Sequence, residues 1–247
     1  MVKILRTRVG QHKGARIRLE AGEVLTAAHI KALDSDIVSL VVDAGTYDTV
    51  SGSVVGGTAP VDISILSEVQ LPIVTLVIGG HFVHEMPDLT GWTALRNLTV
   101  MNTRVDRLDV SGLNLTNLHL ESNTLMSTLD DSLNEMQSLQ ILGLVEMPLT
   151  DMSWIAEDNL LSNLTTLYIV DMQQMEEFPQ ELEYLSALES LSVERSAFIL
   201  TDEDVDRLVD RTRLSYLSVS PDQIDFDVSY AEDDMYLTVN VSVDDTY

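Results

Sequence analysis

Two histidines three residues apart are the first candidates for chemistry in this chain. In the segment His81-Phe-Val-His84-Glu85, two imidazoles and a carboxylate could bind a metal ion if further ligands approached. The segment shows no helical periodicity, and no second cluster of ligands supplies the missing donors. We therefore interpret these residues as loop histidines and expect no metal site and no cofactor.

An acidic segment, Thr201-Asp-Glu-Asp204-Val-Asp206, carries enough carboxylates to suggest calcium. It lacks the glycine and the spaced bidentate glutamate of a calcium loop. A threonine followed three residues later by an acid is instead typical of a capping box, in which side chains satisfy the first backbone N–H groups of a helix. We predict a helix over about 201 to 209.

Catalytic signatures are missing from the sequence. The motifs G-x-S-x-G, G-x-x-x-x-G-K-[ST], G-x-G-x-x-G and H-E-x-x-H do not occur. The chain has no cysteine, which excludes disulfides, thiolate zinc sites and a cysteine nucleophile. We expect a protein that is not an enzyme.

Charge is distributed unevenly along the 247 residues, whose net charge is −26. Residues 1–18 contain six basic groups and no acid, whereas the rest carries 8 basic and 40 acidic groups. Because phosphate contacts need clustered lysine and arginine, nucleic acid is excluded as a partner of this acidic body. The basic arm is either a solvated edge strand or a tether for an acidic partner, including a neighbouring copy. Its basic residues are Lys3, Arg6, Arg8, Lys13, Arg16 and Arg18.

Membrane and export signals are also missing. The apolar residues at the N-terminus are interrupted by Lys3 and Arg6, and no run reaches the roughly 18 apolar residues of a membrane span. We expect a soluble protein without a recognisable signal peptide that does not bind membranes. The sequence leaves its location open, with the cytoplasm and a virion among the alternatives.

A repeated sequence pattern indicates the fold that must position these residues. The pattern L-x-x-L-x-L recurs at spacings of 20, 24, 25, 24 and 26 residues. A period between about 20 and 29 residues, with one short strand per period, is typical of a solenoid. Apolar residues make up 45% of the chain and aromatic residues 5%, which indicates a core of leucine, valine and isoleucine. The six copies begin at Leu95, Leu115, Leu139, Leu164, Leu188 and Leu214.

On these residues the chain resembles the leucine-rich-repeat family over about residues 25 to 219. The resemblance implies an α/β solenoid with a parallel sheet on its concave face, an irregular convex side and binding of a protein partner. The family's asparagine at the ninth repeat position is matched by Asn123 alone, which predicts an irregular member. The other repeats place Thr103, Met147, Met172, Ser196 and Asp222 there.

The chain divides into four predicted regions. A helix with Thr26 as its N-cap precedes a glycine-rich insert at 43–70, and short convex helical segments are expected at 131–136 and 179–185. Alternation in Ile224–Tyr230 and Met235–Val243 predicts a β-hairpin that closes the C-terminal end. The regions are the basic arm (1–18), an N-terminal capping unit with the insert (19–70), the repeat array (71–221) and the C-terminal hairpin cap (222–247).

Residues between the inward leucines project from the concave face. Among them is a mildly apolar patch with the composition of an interface centre, although these residues are equally interpretable as uncharged strand formers. The patch comprises Met101, His119, Val145, Tyr168 and Val170.

We therefore predict a non-catalytic protein-binding or structural subunit that acts through the concave patch, the basic arm or both. Two alternatives remain open at this point. One is a decoration-type structural component docked by its arm on a large assembly such as a phage or virus particle. The other is an effector or adhesin that recognises a host protein or glycan.

Overall fold

The computed structural model describes residues 2–9, 12–48, 53–55, 59–69, 71–233 and 237–242. The chain divides into two compact units, Met1–Met126 (unit 1) and Ser127–Tyr247 (unit 2). The division falls inside the array that the sequence predicted to be continuous.

Unit 1 contains a row of six side-by-side strands among its described residues. The first two strands form an antiparallel hairpin, and the remaining four follow in parallel. The predicted insert contains a separate antiparallel pair, β4 and β5. The elements are β1 (Lys3–Val9), β2 (His12–Leu19), α1 (Ala27–Lys31), β3 (Ser39–Ala44), β4 (Thr46–Asp48), β5 (Ser53–Val55), a 3₁₀ turn (Ser64–Glu68), β6 (Thr75–Gly79), β7 (Asn97–Met101) and β8 (Asn117–Glu121).

The core of unit 1 is built by stacking equivalent leucine positions. The register pairs Leu40 with Leu76, Leu76 with Leu98 and Leu98 with Leu118, and all four are at most 1% exposed. Full burial of such a side chain contributes about 1.5 to 3 kcal/mol. One inward column per repeat therefore stabilises the stack of strands.

The basic N-terminal segment is part of this sheet. Strand β2 pairs in parallel with β3, and Ala15, Ile17 and Leu19 are buried beside the leucine columns. The boundary proposed at residue 18 consequently lies inside a strand. Charge is clustered there, but the apolar positions of the same strand belong to the core.

Unit 2 contains five described strands in one parallel row, in the order β9, β10, β11, β13, β15. Strands β12 and β14 form a separate two-residue parallel pair. The elements are a 3₁₀ turn (Asp131–Glu135), β9 (Ile141–Val145), β10 (Thr166–Val170), a 3₁₀ turn (Gln180–Tyr184), β11 (Ser190–Ser192), β12 (Leu200–Thr201), α2 (Asp202–Arg211), β13 (Tyr216–Val219), a 3₁₀ turn (Pro221–Gln223), β14 (Ile224–Asp225), α3 (Val228–Asp233) and β15 (Thr238–Val241).

The predicted C-terminal hairpin is wrong. Its first arm contributes only β14 and then becomes α3, where Asp227 accepts a hydrogen bond from the N–H of Ser229 at 2.9 Å as a helix cap does. Strand β15 pairs in parallel with β13, with Thr238 opposite Tyr216. The alternation of apolar and polar residues identified β15 as a strand but did not identify the strand with which it pairs. Because β15 follows β13 by 22 residues, which is the length of one repeat, it continues the parallel row. Residues 234–236 and 243 of the predicted hairpin lie outside the described residues.

Both predicted helix starts are confirmed. Thr26 precedes α1, and its backbone N–H donates to Nδ1 of His29 at 3.1 Å. Thr201 precedes α2 and exchanges hydrogen bonds with Asp204. The predicted segments at 131–136 and 179–185 form 3₁₀ turns, because the short repeats allow only one tight turn on the return leg.

The ninth repeat position is buried and hydrogen-bonded to the neighbouring repeat. Oδ1 of Asn123 accepts from Thr103 N and Oγ1 at 3.2 and 2.7 Å, while its amide donates to Val100 O at 2.9 Å. In unit 2, Ser196 Oγ accepts from Met172 N at 3.2 Å. A partial polar ladder thus replaces the regular asparagine ladder in each unit.

The last repeat departs from the predicted alignment at this position. Asp222 is exposed, and the neighbouring Gln223 is the buried residue, with its amide 3.3 Å from Phe198 O. The 3₁₀ turn at Pro221–Gln223 shifts the inward position by one residue.

Each unit therefore has the architecture of a leucine-rich-repeat solenoid. One short parallel strand per repeat carries inward leucines, and the return legs are irregular or form single helical turns. The predicted fold class is confirmed for the array.

Candidate functional site

The strand registers determine which side chains leave the core. Residues that alternate with the buried leucines point to the opposite side of the strands, which we call the outer face. In unit 2 these residues align in columns across β9, β10, β11 and β13. We call the following ten residues the unit 2 face: Ile141, Gly143, Val145, Thr166, Tyr168, Val170, Ser190, Ser192, Tyr216 and Ser218.

The unit 2 face contains no acidic or basic side chain, although the whole chain has 40 acidic residues. Tyr168 is 42% exposed and Tyr216 is 39% exposed. They lie on β10 and β13, with β11 between them, which places them roughly 10 Å apart across the strands. The half-buried Val145 and Val170 lie beside Tyr168.

Glu194 lies at the end of β11, next to the unit 2 face. One oxygen of its carboxylate accepts hydrogen bonds from Ser218 Oγ at 2.6 Å and from Ser192 Oγ at 3.4 Å. The other oxygen lies 3.9 Å from Nη1 of Arg195. This negative charge therefore lies against the Ser192 and Ser218 side of the unit 2 face, held by two hydroxyls and a guanidinium.

The sequence predicted part of this surface. Val145, Tyr168 and Val170 occupy the fifth and seventh positions of their repeats, and the structure places all three on the unit 2 face. The third position, occupied by Ile141 and Tyr216, was not included although it points the same way. The two-residue period of a strand was the signal that could have found them.

The other two predicted patch residues lie in unit 1. Met101, on β7, packs against Gly79 of β6, where a side chain would come within 3.2 Å of Met101 Cγ. His119, on β8, places Nε2 at 3.1 Å from Oε2 of Glu121. Met101 therefore fills space above a glycine, and His119 is paired with an adjacent acid.

The six predicted basic residues all lie on the hairpin of β1 and β2, and three of them pair with acids of unit 1. Lys13 Nζ is 2.7 Å from Asp36, and Arg18 Nη2 is 3.2 Å from Asp43. Arg6 Nη2 donates to Ala32 O at 3.0 Å, and its Nε is 3.6 Å from Asp34.

The remaining basic residues of the hairpin are Lys3, Arg8 and Arg16. All three are exposed, and none has a carboxylate partner among the described residues. Half of the hairpin's cations thus hold it to its own unit, and half face solvent.

His81 and His84 lie in the loop that follows β6. The His81 ring packs edge-on against Phe82, with ring centroids 6.5 Å apart. Burial, together with the positive charge of Arg104, lowers the pKa of His81. Within the part of the chain that the structure describes, no three histidine or acidic side chains are grouped closely enough to hold a metal ion.

Asp204, from the acidic segment considered for calcium, is occupied by other partners. One oxygen accepts from the N–H and hydroxyl of Thr201, at 3.0 and 2.7 Å. The other lies 2.7 Å from Arg207 Nη2. This carboxylate caps α2 and pairs with the helix's own arginine.

Each unit also has an open cleft. The one in unit 1 has a volume of about 290 Å³ and includes Asp62, Ser64 and His84. The N–H of Ser64 donates to Asp62 at 2.9 Å, and hydrogen bonding to Ser64 lowers the pKa of Asp62. The cleft in unit 2, of about 490 Å³, includes Arg195 and Ser220, which bond to each other through the Arg195 N–H at 2.9 Å. Internal hydrogen bonds thus occupy polar groups in both clefts.

Comparisons with known proteins find likeness in structure but none in sequence. No protein-family model matches the chain. No curated protein sequence matches it significantly. A crystal structure of an internalin (inlF) from Listeria monocytogenes str. 4b F2365 is similar, with 18% sequence identity and a TM-score of 0.41, over 93% of this chain and 87% of that one. Among the described residues, no helix has the length and apolar character needed to cross a bilayer.

Proposed function

We propose that this chain is a non-catalytic binding protein and that the unit 2 face contacts a partner protein. The observation that carries the proposal is an outer face whose strand residues are uncharged and include two exposed tyrosines, in a chain of net charge −26. The carboxylate that approaches this face, that of Glu194, is bonded to Ser192 and Ser218. Interface centres are depleted of charged residues and enriched in aromatic ones, which is the composition of this surface.

Tyr168 and Tyr216 are the proposed anchors of the contact. A tyrosine combines a large apolar ring with a hydroxyl for one directed hydrogen bond, and about two fifths of each of these side chains is still exposed for a partner to cover. Val145 and Val170 supply half-buried apolar surface beside Tyr168 at little cost in side-chain entropy, because branched side chains have few rotamers to lose. Glu194 contributes a polar rim, where water remains accessible.

The sheet explains why this surface suits binding. The tyrosines project from strands whose neighbouring leucines, such as Leu167 and Leu217, are fully buried. Their backbones are therefore held before a partner arrives, so that binding orders little more than the side chains themselves. Preorganisation of this kind increases affinity for a given contact area.

Affinity capture with matched variants tests the proposal. The full-length protein is used as bait in extracts of its native source, alongside Tyr168→Glu, Tyr216→Glu and Tyr184→Glu. Tyr184 is 36% exposed in the 3₁₀ turn Gln180–Tyr184, away from the unit 2 face, and provides a control for the same change. We expect a partner captured equally by the wild type and Tyr184→Glu, and at least about tenfold less by the two face variants.

The captured partner is then purified and its affinity measured directly. A charged group placed in a desolvated contact is expected to weaken binding by about 2 kcal/mol or more, or roughly thirtyfold. Equal capture by all three tyrosine variants would overturn the proposal. If capture depended instead on Lys3, Arg8 and Arg16, the basic hairpin would be the binding element.

A further inference from the structure

The strand β1 has a free edge. Seven residues of β1 pair with β2, from Lys3 opposite Arg18 to Val9 opposite His12, and no described strand pairs with its other side. In an antiparallel ladder, about half of the backbone N–H and C=O groups of an edge strand point away from its partner. Strand β1 therefore presents a row of backbone donors and acceptors on which another strand could form hydrogen bonds.

Positive charge surrounds this edge on both sides of the sheet. Lys3 lies on the outer face, together with Arg16 on the adjacent strand, whereas Arg8 lies on the opposite face. These are the three exposed cations of the hairpin that have no carboxylate partner among the described residues. Leu5, between Lys3 and Arg8 in sequence, is 55% exposed on the outer face. The edge thus combines backbone pairing groups, unpaired cations and one apolar side chain.

The cations determine which strand the edge accepts. A second copy of β1 would bring Lys3 and Arg8 against like charges, which is how edge strands resist self-pairing. An acidic strand would instead neutralise the same cations while its backbone satisfied the free edge. We propose that the β1 edge binds an extended acidic segment of a partner protein as an added strand. This surface belongs to unit 1, so the proposal is independent of the unit 2 face.

Peptides with defined backbone chemistry test the pairing. The probe is a fluorescein-labelled ten-residue peptide of alternating glutamate and valine, titrated with the full-length protein and followed by fluorescence anisotropy. Two further versions carry N-methyl groups on either the odd or the even residues. Successive N–H groups of a strand point in opposite directions, so only one set can face β1. We expect one methylated peptide to lose binding at least about tenfold and the other to bind within about twofold of the parent.

Protein variants test the charge requirement. The triple variant Lys3→Glu, Arg8→Glu and Arg16→Glu is expected to weaken peptide binding at least about tenfold. The control is Arg104→Glu, Arg211→Glu and Arg213→Glu, which makes the same charge change at exposed positions outside the β1–β2 hairpin and its contacts. Because salt screens distant charges beyond about 8 Å at physiological ionic strength, the control should bind within about twofold of wild type.

Any of three other results would overturn the proposal. If both methylated peptides bind like the parent, charge alone attracts the peptide and no strand is added. If a single-stranded DNA of ten nucleotides or phosphatidylserine vesicles compete as well as the acidic peptide does, the edge is a general anion surface. If the acidic peptide does not bind the wild-type protein, the edge does not accept such a strand. The peptide arms use the unmodified protein, so they remain decisive if the triple variant fails to fold.

Discussion

Two nitrogens of Arg195 contact the carboxylate of Asp171: Nε lies 3.0 Å and Nη2 lies 2.8 Å from Oδ2. The residues occupy the eighth position of successive repeats, and both have left-handed backbones, with φ of 59° for Asp171 and 55° for Arg195. The same position holds Gly80 and Asn102 in unit 1, also with positive φ. The turns after these strands thus require a left-handed backbone, which most residues adopt at a cost in energy. In unit 2, Asp171 and Arg195 occupy two such turns and join successive repeats through their side chains.

Replacing Asp171 with asparagine should show how much this ion pair contributes to the free energy of unfolding. Asparagine tolerates the left-handed conformation but removes the charge. Because the Arg195 side chain is 41% exposed, we expect a loss of only about 0.5 kcal/mol in the free energy of unfolding. Urea denaturation of Asp171→Asn, Arg195→Met and the double variant gives the coupling energy. The coupling should shrink in about 1 M NaCl, and a value of zero at low salt would contradict the prediction.

A side chain at Gly80 should destabilise the fold strongly. Its φ is 113°, and a Cβ there would overlap the carbonyl group of Ala44. Gly80→Ala combines backbone strain with a clash against backbone atoms, which cannot move aside as a side chain can. We expect a loss of more than about 3 kcal/mol in the free energy of unfolding, or failure to fold. Urea denaturation followed by circular dichroism measures the difference.

Substitutions at two other glycines of unit 1 distinguish the effect of backbone strain from the effect of a steric clash. Gly112 has φ of 72°, but a Cβ would meet no atom within 4 Å, so Gly112→Ala should cost about 1 to 2 kcal/mol. Gly91 has neither a positive φ nor a neighbour in that range, so Gly91→Ala should change stability by less than about 1 kcal/mol. If Gly112→Ala were as damaging as Gly80→Ala, the close approach to Ala44 would not be the cause.

Much of the fold could be predicted because stacking makes the sequence periodic. Inward leucines at one spacing identify the strands, and Thr201 with Asp204 identifies a helix start from four residues. Pairing at the C-terminal end could not be predicted in this way, since a strand's own alternation is the same for a hairpin and for one more parallel repeat. The alternation around Asp227 indicates a strand, whereas Asp227 itself is a residue that often begins a helix. The helix α3 could have been predicted only by preferring the second signal to the first.

The outer face was harder to predict than the core. Tyr168 and Tyr216 both alternate with buried leucines, so their direction follows from strand geometry. Met101 follows the same rule, but its packing against Gly79 depends on the neighbouring repeat, which a single repeat does not encode. The pairing of Lys13 with Asp36 joins residues 23 apart across a strand connection, and charge composition does not reveal such a pair.

The two tryptophans of the chain give opposite expectations for the same substitution. Nε1 of Trp92 donates to Leu66 O at 2.9 Å, whereas Nε1 of Trp154 is buried without a hydrogen-bond partner among the described residues. Trp92→Phe removes one of the two hydrogen bonds that the Leu66 carbonyl accepts, the other coming from the N–H of Val69 at 3.2 Å, while Trp154→Phe removes an unsatisfied donor. We expect Trp92→Phe to cost about 1 to 2 kcal/mol more than Trp154→Phe in urea denaturation.

Each tryptophan variant also leaves a single tryptophan, so tryptophan fluorescence reports on one unit while circular dichroism follows the whole chain. Equal costs for both substitutions would indicate that the loss of ring volume outweighs the hydrogen-bond difference.

Lys13 and Asp36 provide a pH-dependent test of how the basic hairpin is attached to unit 1. The Lys13 ammonium donates a hydrogen bond to Asp36 at 2.7 Å and thereby lowers the pKa of that carboxyl below its ordinary value of 3.8. A carboxyl whose pKa is lower in the folded state favours folding above its unfolded pKa. That contribution is lost as the pH falls through the folded pKa. The pair should therefore hold at neutral pH and break below about pH 3.8.

Lys13→Met should raise the pKa of Asp36 toward 3.8, because the methionine keeps the length of the side chain without its charge. Carboxyl-carbon NMR titration measures the change, with Asp62 as the internal control, since hydrogen bonds from Ser64 lower its pKa instead of a cation. About 1 M NaCl should likewise raise the pKa of Asp36 in the wild type more than that of Asp62. An Asp36 pKa that changes with neither the substitution nor the salt would mean that the ammonium and the carboxylate are not paired in solution. Strand β2 would then be held to its unit by its pairing with β3, by Arg18 and by its buried residues, without this contact.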